Sequence, residues 1–80
     1  MIINISEAKY VVGTKQTVKA ISSGAAEAVF IAEDADEDIK EKVKRECRKH
    51  SVEYTSVPTM KELGNACNIS RSAAVACNIK

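Results

Sequence analysis

In AVFIAEDADEDIKEKVKRECRKHSVEYTSV, Ala28 to Val57, the spacing of apolar residues changes twice. Ala28 to Ala32 is an unbroken apolar run with β-branched and aromatic members, a composition that suits a strand. From Asp36 to His50 the apolar residues recur at every fourth position, Ile39, Val43 and Cys47, which marks a helix with a narrow buried stripe. Asp36, Glu37 and Asp38 stand at its start, and Arg45, Arg48, Lys49 and His50 stand at its end. These charges complement the helix dipole, each contributing up to about 1 kcal/mol, so the helix is explained as scaffold. Val52 to Val57 returns to the β-type pattern. The unit is strand, helix, strand.

The same alternation extends both ways. Upstream, Ser6 to Tyr10 reads as a short helix and Val11 and Val12 as a brief strand. Thr14 to Ser23 reads as a helix that Gly24 stops. Downstream, Pro58 ends the strand, and Thr59 with Glu62 forms a capping box that opens a helix over TMKELGNAC. AAVACNI, Ala73 to Ile79, is a last β-type run. Strands separated by helices mean a sheet covered on both faces, an α/β fold of three layers. No linker, repeat or low-complexity segment divides residues 1–80, which read as one domain.

The 80 residues are 45% hydrophobic and 29% charged, the balance of a folded domain rather than a disordered chain. A domain of this size has no room for a long cleft between two lobes. There is no apolar run of membrane-spanning length, and MIINISEAKY lacks the basic flank and apolar stretch of a secretion signal. The expectation is a cytoplasmic protein with no membrane partner.

Cys47, Cys67 and Cys77 are odd in number and lack CxxC spacing, which supports neither a disulfide framework nor a zinc site. They read as small buried hydrophobes. Cys47 and His50 have the spacing of neighbours on a helix, which keeps a small thiol enzyme as a minor alternative, but RECRKH reads better as the basic end of a surface helix.

Net charge is only +1, yet it is unevenly distributed. Residues 25–41 carry seven acids against Lys40, while residues 42–50 carry five bases against Glu46. In VVGTKQTVKAI, Val11 to Ile21, a wheel at about 100° per residue puts Lys15, Gln16 and Lys19 on one face. It turns Thr14, Val18 and Ile21 toward the other, with Ala20 on a flank. Gly13 and Thr14 fall where the first backbone N–H groups lack partners inside the helix, so this end can accept an anion. An ordinary solvated helix face would look much the same.

GTKQTVKAI, then EAVFIAEDAD, then LGNACNISRSAAVACNI resembles the kink-turn RNA-binding family of ribosomal proteins, the L-seven-Ae and L-thirty-e type, and especially its short bacterial members. The match runs through nearly the whole chain in order and spacing. The resemblance implies a three-layer α/β/α sandwich around a mixed four-stranded sheet, and a protein that is not an enzyme and needs no cofactor. It implies binding of an RNA bent sharply at a bulge beside tandem sheared G·A pairs, ribosomal RNA being one candidate.

Carried over by position, the family's RNA-binding residues fall on Gly13, Thr14, Lys15, Gln16 and Lys19. The glycine end of the helix would approach the RNA backbone, and the polar pair with Lys19 would meet guanine edges. Gln16 can donate and accept toward a base, and a lysine donates to guanine O6 and N7 or to phosphate. A kink opens a groove wide enough for a helix end, which a regular A-form duplex does not. In NISRS, Ile69, Ser70 and Arg71 take the positions of the loop that faces unpaired bases. Ile69 would cover a base face or else tuck into the core, and Arg71 would pair with phosphate or stack. Asp36 matches a carboxylate that receives the extruded base, and it serves equally as a helix-start charge.

Lys15 and Gln16 stand where archaeal members have asparagine and glutamate, and Ser72 stands where a proline often follows the arginine. A different class of function on the same scaffold is a protein-interaction module using the acidic helix or an exposed region around Met60. Nothing in the chain demands a dimer, so a monomer is expected.

Overall fold

The computed structural model describes residues 10–67 and 72–79. The chain runs β1 (Tyr10–Val12), α1 (Thr14–Ser22), β2 (Ala26–Ala32), α2 (Glu37–Lys49), β3 (Tyr54–Val57), α3 (Met60–Ala66) and β4 (Val75–Ile79). The four strands form a mixed sheet in the order β1-β4-β2-β3. β4 lies antiparallel between β1 and β2, and β2 pairs parallel with β3. Of the expected short helix at Ser6 to Tyr10, residues 6–9 lie outside the described residues, and Tyr10 belongs to β1.

Side chains along the central strands alternate between two cores, as a pleated sheet requires. Val29, Ile31, Val75 and Cys77 face Ala20 and Ile21 of α1 and Val43 and Cys47 of α2. Phe30, Ala32 and Ala76 face Leu63 and Cys67 on the α3 side. α1 and α2 therefore lie side by side on one face, with α3 on the other. Each large apolar side chain so buried contributes about 1.5–3 kcal/mol. Leu63, fully buried, is the main apolar anchor of the seven-residue α3, a helix too short to persist without its docking.

The ends of the helices follow the local chemistry. The Oγ1 of Thr59 accepts the Glu62 N–H at 3.0 Å, one half of the expected capping box. α1 and α2 close with the same pair of bonds. Gly24 N–H donates to Ile21 O and Ala25 N–H to Ala20 O; Ser51 N–H donates to Arg48 O and Val52 N–H to Cys47 O. This closure needs a left-handed residue after the cap. Gly24 takes it at φ 80°, and Ser51 at φ 57°.

Two local expectations are corrected. The face of α1 that enters the core is Thr17, Ala20 and Ile21, whereas Thr14 and Val18 are only half-buried. The wheel followed hydrophobicity, but α1 sits over β4 with α2 alongside, and that seat turns Thr17 inward and leaves the larger Val18 at the margin of the core. Met60 is not an exposed contact: it packs against the α3-side core, and its N–H and C=O are bonded to Asp34 Oδ1 and Ala73 N.

Candidate nucleic-acid interface

β1 delivers the chain to Gly13, whose N–H donates to Val75 O at 2.9 Å where β4 begins. One residue earlier in the chain, Ala74 O accepts from Ala32 N–H at the end of β2, and Glu33 N–H donates to Val57 O at the end of β3. The start of α1, the turn from β2 to α2 and the start of α3 therefore meet at one end of the sheet. Gly13 has φ 110° and ψ 154°, a conformation essentially confined to glycine, and lets the strand turn directly into α1.

The three helix starts at this end differ in what they offer a ligand. α3 is closed, with Asp34 Oδ1 accepting the Met60 N–H at 2.7 Å and Thr59 Oγ1 accepting from Glu62. α2 has Glu37 and Asp38 in its first turn, which occupy the positive end of its dipole. α1 has neither an acid in its first turn nor a side-chain cap among the described residues. Its first N–H groups, from Thr14 to Gln16, point out of the helix start beside exposed Lys15 and Gln16, with exposed Lys19 one turn further on. Chemically this end suits an oxyanion or the acceptor edge of a base.

Asp36 is the N-cap of α2, exposed at the same end, and its side chain makes no capping hydrogen bond. The turn that carries it is built rather than loose. Lys40 is 9% exposed, and its Nζ donates to Glu33 O at 2.8 Å and pairs with Glu37 at 3.1 Å. That ammonium ties α2 back over the turn, while Asp34 ties the turn to α3. Exposed Glu33, Asp34, Asp36 and Asp38 make this side acidic, which disfavours phosphate there. Ile69, Ser70 and Arg71 lie outside the described residues; the chain beyond them returns to this end, where Ala73 N–H donates to Met60 O.

Sequence reasoning missed Asp34 and Lys40. Asp34 carried no local signal, because its bond to Met60 joins residues 26 apart. Lys40 had one, since it follows Ile39 on the wheel at the flank of the Val43 stripe.

A cleft of about 590 Å³ opens at the opposite end, between the C-termini of α1 and α2, with Glu27, His50 and Glu53 in its wall. Two helix C-termini and two carboxylates make it repel phosphate. The three cysteines are free and buried, away from the α1 start. Burial pushes all three thiols up, that of Cys77 to about 11, which lowers the thiolate fraction at neutral pH below that of a free cysteine. His50 is exposed, its Nε2 3.8 Å from Glu46 on the preceding turn.

The family model described as the ribosomal protein L7Ae/L30e/S12e/Gadd45 family matches residues 5–80. An RNA-binding protein of Geobacillus sp. (strain WCH70) is 47% identical over 72 residues, 90% of this chain and 88% of that one. The RNA-binding protein YbxF of Geobacillus stearothermophilus is 48% identical over 66 residues, 82% of this chain and 80% of its own. Among solved structures, the Giardia lamblia 15.5kD RNA binding protein superposes with a TM-score of 0.84 at 33% identity, covering 92% of this chain. The chain spans 62% of that protein's length. A Bacillus halodurans protein of unknown function shares the fold, with a TM-score of 0.82 at 24% identity over 89% of this chain and 71% of that one.

Proposed function

The chain belongs to the ribosomal protein L7Ae/L30e/S12e/Gadd45 family, and from that premise we propose that it binds RNA without catalysis, capturing a kink-turn and holding it bent. The observation that carries this reading is the open start of α1. Among the three described helices it alone combines uncapped N–H groups, no first-turn acid and exposed Lys15, Gln16 and Lys19. The relatives that share most of its length are named RNA-binding proteins.

In this reading Gly13 and Thr14 let the RNA backbone approach the helix start, and Lys15, Gln16 and Lys19 contact guanine edges and flanking phosphates. Asp36 receives an extruded base, and Ile69, Ser70 and Arg71 cover unpaired bases. The acidic turn between β2 and α2 excludes phosphate from one side and so helps to orient the RNA. The kinked conformation is stabilised only to the extent that it binds better than the straight one, so the selectivity lies in shape rather than in a net charge of +1. Association with the ribosome, action as a monomer and a cytoplasmic location belong to the same proposal.

The test is a titration of the Gln16→Ala/Lys19→Ala variant against a kink-turn RNA and a plain duplex of equal length. Each good base-edge contact is worth about 1–3 kcal/mol, so the kink-turn affinity falls about tenfold or more, with a much smaller change on the duplex. Lys61→Ala, on exposed α3 surface, leaves both unchanged. Equal losses on the two RNAs would remove the case for motif recognition.

A further inference from the structure

The second half of α2 is more basic than its own helix requires. Arg48 and Lys49 lie in the last turn and complement the dipole, but Lys42 and Lys44 lie before it, and so does Arg45, which the charge pattern of the sequence places among the charges of the helix end. Asp38 and Glu41 stand four residues ahead of Lys42 and Arg45, the spacing of an intrahelical ion pair. Neither pair forms, and among the described residues the ion pairs on α2 involve only Lys40 and His50. With Val43 and Cys47 turned into the core, a spacing of 100° per residue sends Arg45 and Lys49 to the opposite, outward side with Lys42 close by. All three are exposed, as is Lys19 on the neighbouring α1.

Both helices start at the end of the sheet that carries the open start of α1, and they lie side by side away from it. Lys19 and Lys42 each stand five residues past the first residue of their helix and so lie at about the same depth, and Arg45 and Lys49 follow further from that end. From Asp36 to Lys49 the helix covers about 20 Å at 1.5 Å per residue. We infer that this outward side of the α1–α2 layer is a second RNA contact, on which Lys19, Lys42, Arg45 and Lys49 follow the phosphate backbone of a double-stranded stem leaving the kink. The inference rests on the kink-turn reading and deepens it. Two features favour RNA as the occupant: the cations continue from the proposed interface, and they lack internal partners. Lysines and arginines set along a helix carry no shape for base edges here, so the contact positions the stem and adds salt-dependent affinity without sequence preference. Acidic Asp38 and Glu41 share the outward side nearer the start of α2, which confines the stem's path to the α1 side until it passes them.

The experiment compares two RNAs with the same kink-turn, one with short stems and one in which a stem is longer by a helical turn, each stem being lengthened in turn. The proteins are the full chain and its Lys42→Ala/Arg45→Ala/Lys49→Ala variant; alanine preserves helix propensity, and circular dichroism checks the fold. The full chain binds one of the long-stemmed RNAs about tenfold or more tighter at low salt, with a steeper dependence on salt by about 2–3 in log–log slope, close to 0.9 per phosphate contacted. The variant loses that advantage and that added slope, yet binds the short-stemmed RNA like the full chain. If the full chain binds the short kink-turn but gains nothing from either longer stem, or if the variant keeps the gain, this inference is overturned while the kink-turn reading stands. If neither kink-turn RNA binds better than a plain duplex, the kink-turn reading fails and takes the inference with it.

Discussion

Replacing Gly13 by alanine separates the backbone geometry of the α1 start from its side-chain chemistry. At φ 110° and ψ 154° the residue occupies a region in which a side chain costs about 1–3 kcal/mol. A β-carbon built at this position meets nothing within 4 Å among the described residues, so collision adds nothing and the whole cost is conformational. For a domain of this size 1 kcal/mol moves the melting midpoint by about 4–8 °C, so Gly13→Ala lowers it by between about 4 and 24 °C. To relieve the strain the chain would have to rotate Gly13 out of this region, which breaks the bond from its N–H to Val75 O and retilts α1. Affinity for a kink-turn RNA, measured well below the lowered midpoint, therefore also falls. A chemically ligated chain with D-alanine at this position recovers the midpoint, because positive φ is the favoured half of the map for a D-residue. Thermal melts followed by circular dichroism decide the matter. An unchanged midpoint for the L-alanine variant, or equal destabilisation by both enantiomers, would refute the conformational reasoning.

Thr17 is fully buried, and its hydroxyl has no hydrogen-bond partner among the described residues. Thr17→Val keeps the shape and the β-branch while removing a desolvated polar atom, so it raises the stability measured by urea unfolding by about 1 kcal/mol; a loss would mean that the hydroxyl is satisfied. The buried thiol of Cys77 has its pKa raised from 9.0 to about 11 by burial first and by Cys47 second. Above the ordinary thiol range the unfolded chain binds fewer protons at this site than the folded one, so the contribution is complete below about pH 9 and is lost as pH rises toward 11. Urea midpoints at pH 8 and pH 10.5 therefore fall further apart in the natural chain than in Cys77→Ala, and parallel behaviour of the two would contradict the assigned burial.

Elements with a local cause are legible in the order of residues. The Thr59 cap on the Glu62 N–H, the stop at Gly24 and the charge gradient along α2 each depend on residues within a few positions of one another, and each is present. Within the proposed interface, Gly13, Lys15, Gln16 and Lys19 share one helix turn and its neighbourhood, so their grouping follows from spacing alone. The left-handed Ser51 was not legible, because serine carries no signal for positive φ; the closure of α2 imposes it.

The alternation of strand and helix, the exposed polar face of α1 and its glycine entrance were determined by the sequence itself, since periodicity and chain stereochemistry act over a few residues. Only the tertiary structure decided that β4, last in the chain, runs between β1 and β2, that Thr17 rather than Val18 enters the core, and that Asp34 and Lys40 hold the acidic turn beside the α1 start. These depend on which surfaces meet when the sheet closes. Pairing between residues distant in the chain is set by the competition of whole faces for burial, and no local pattern encodes its outcome.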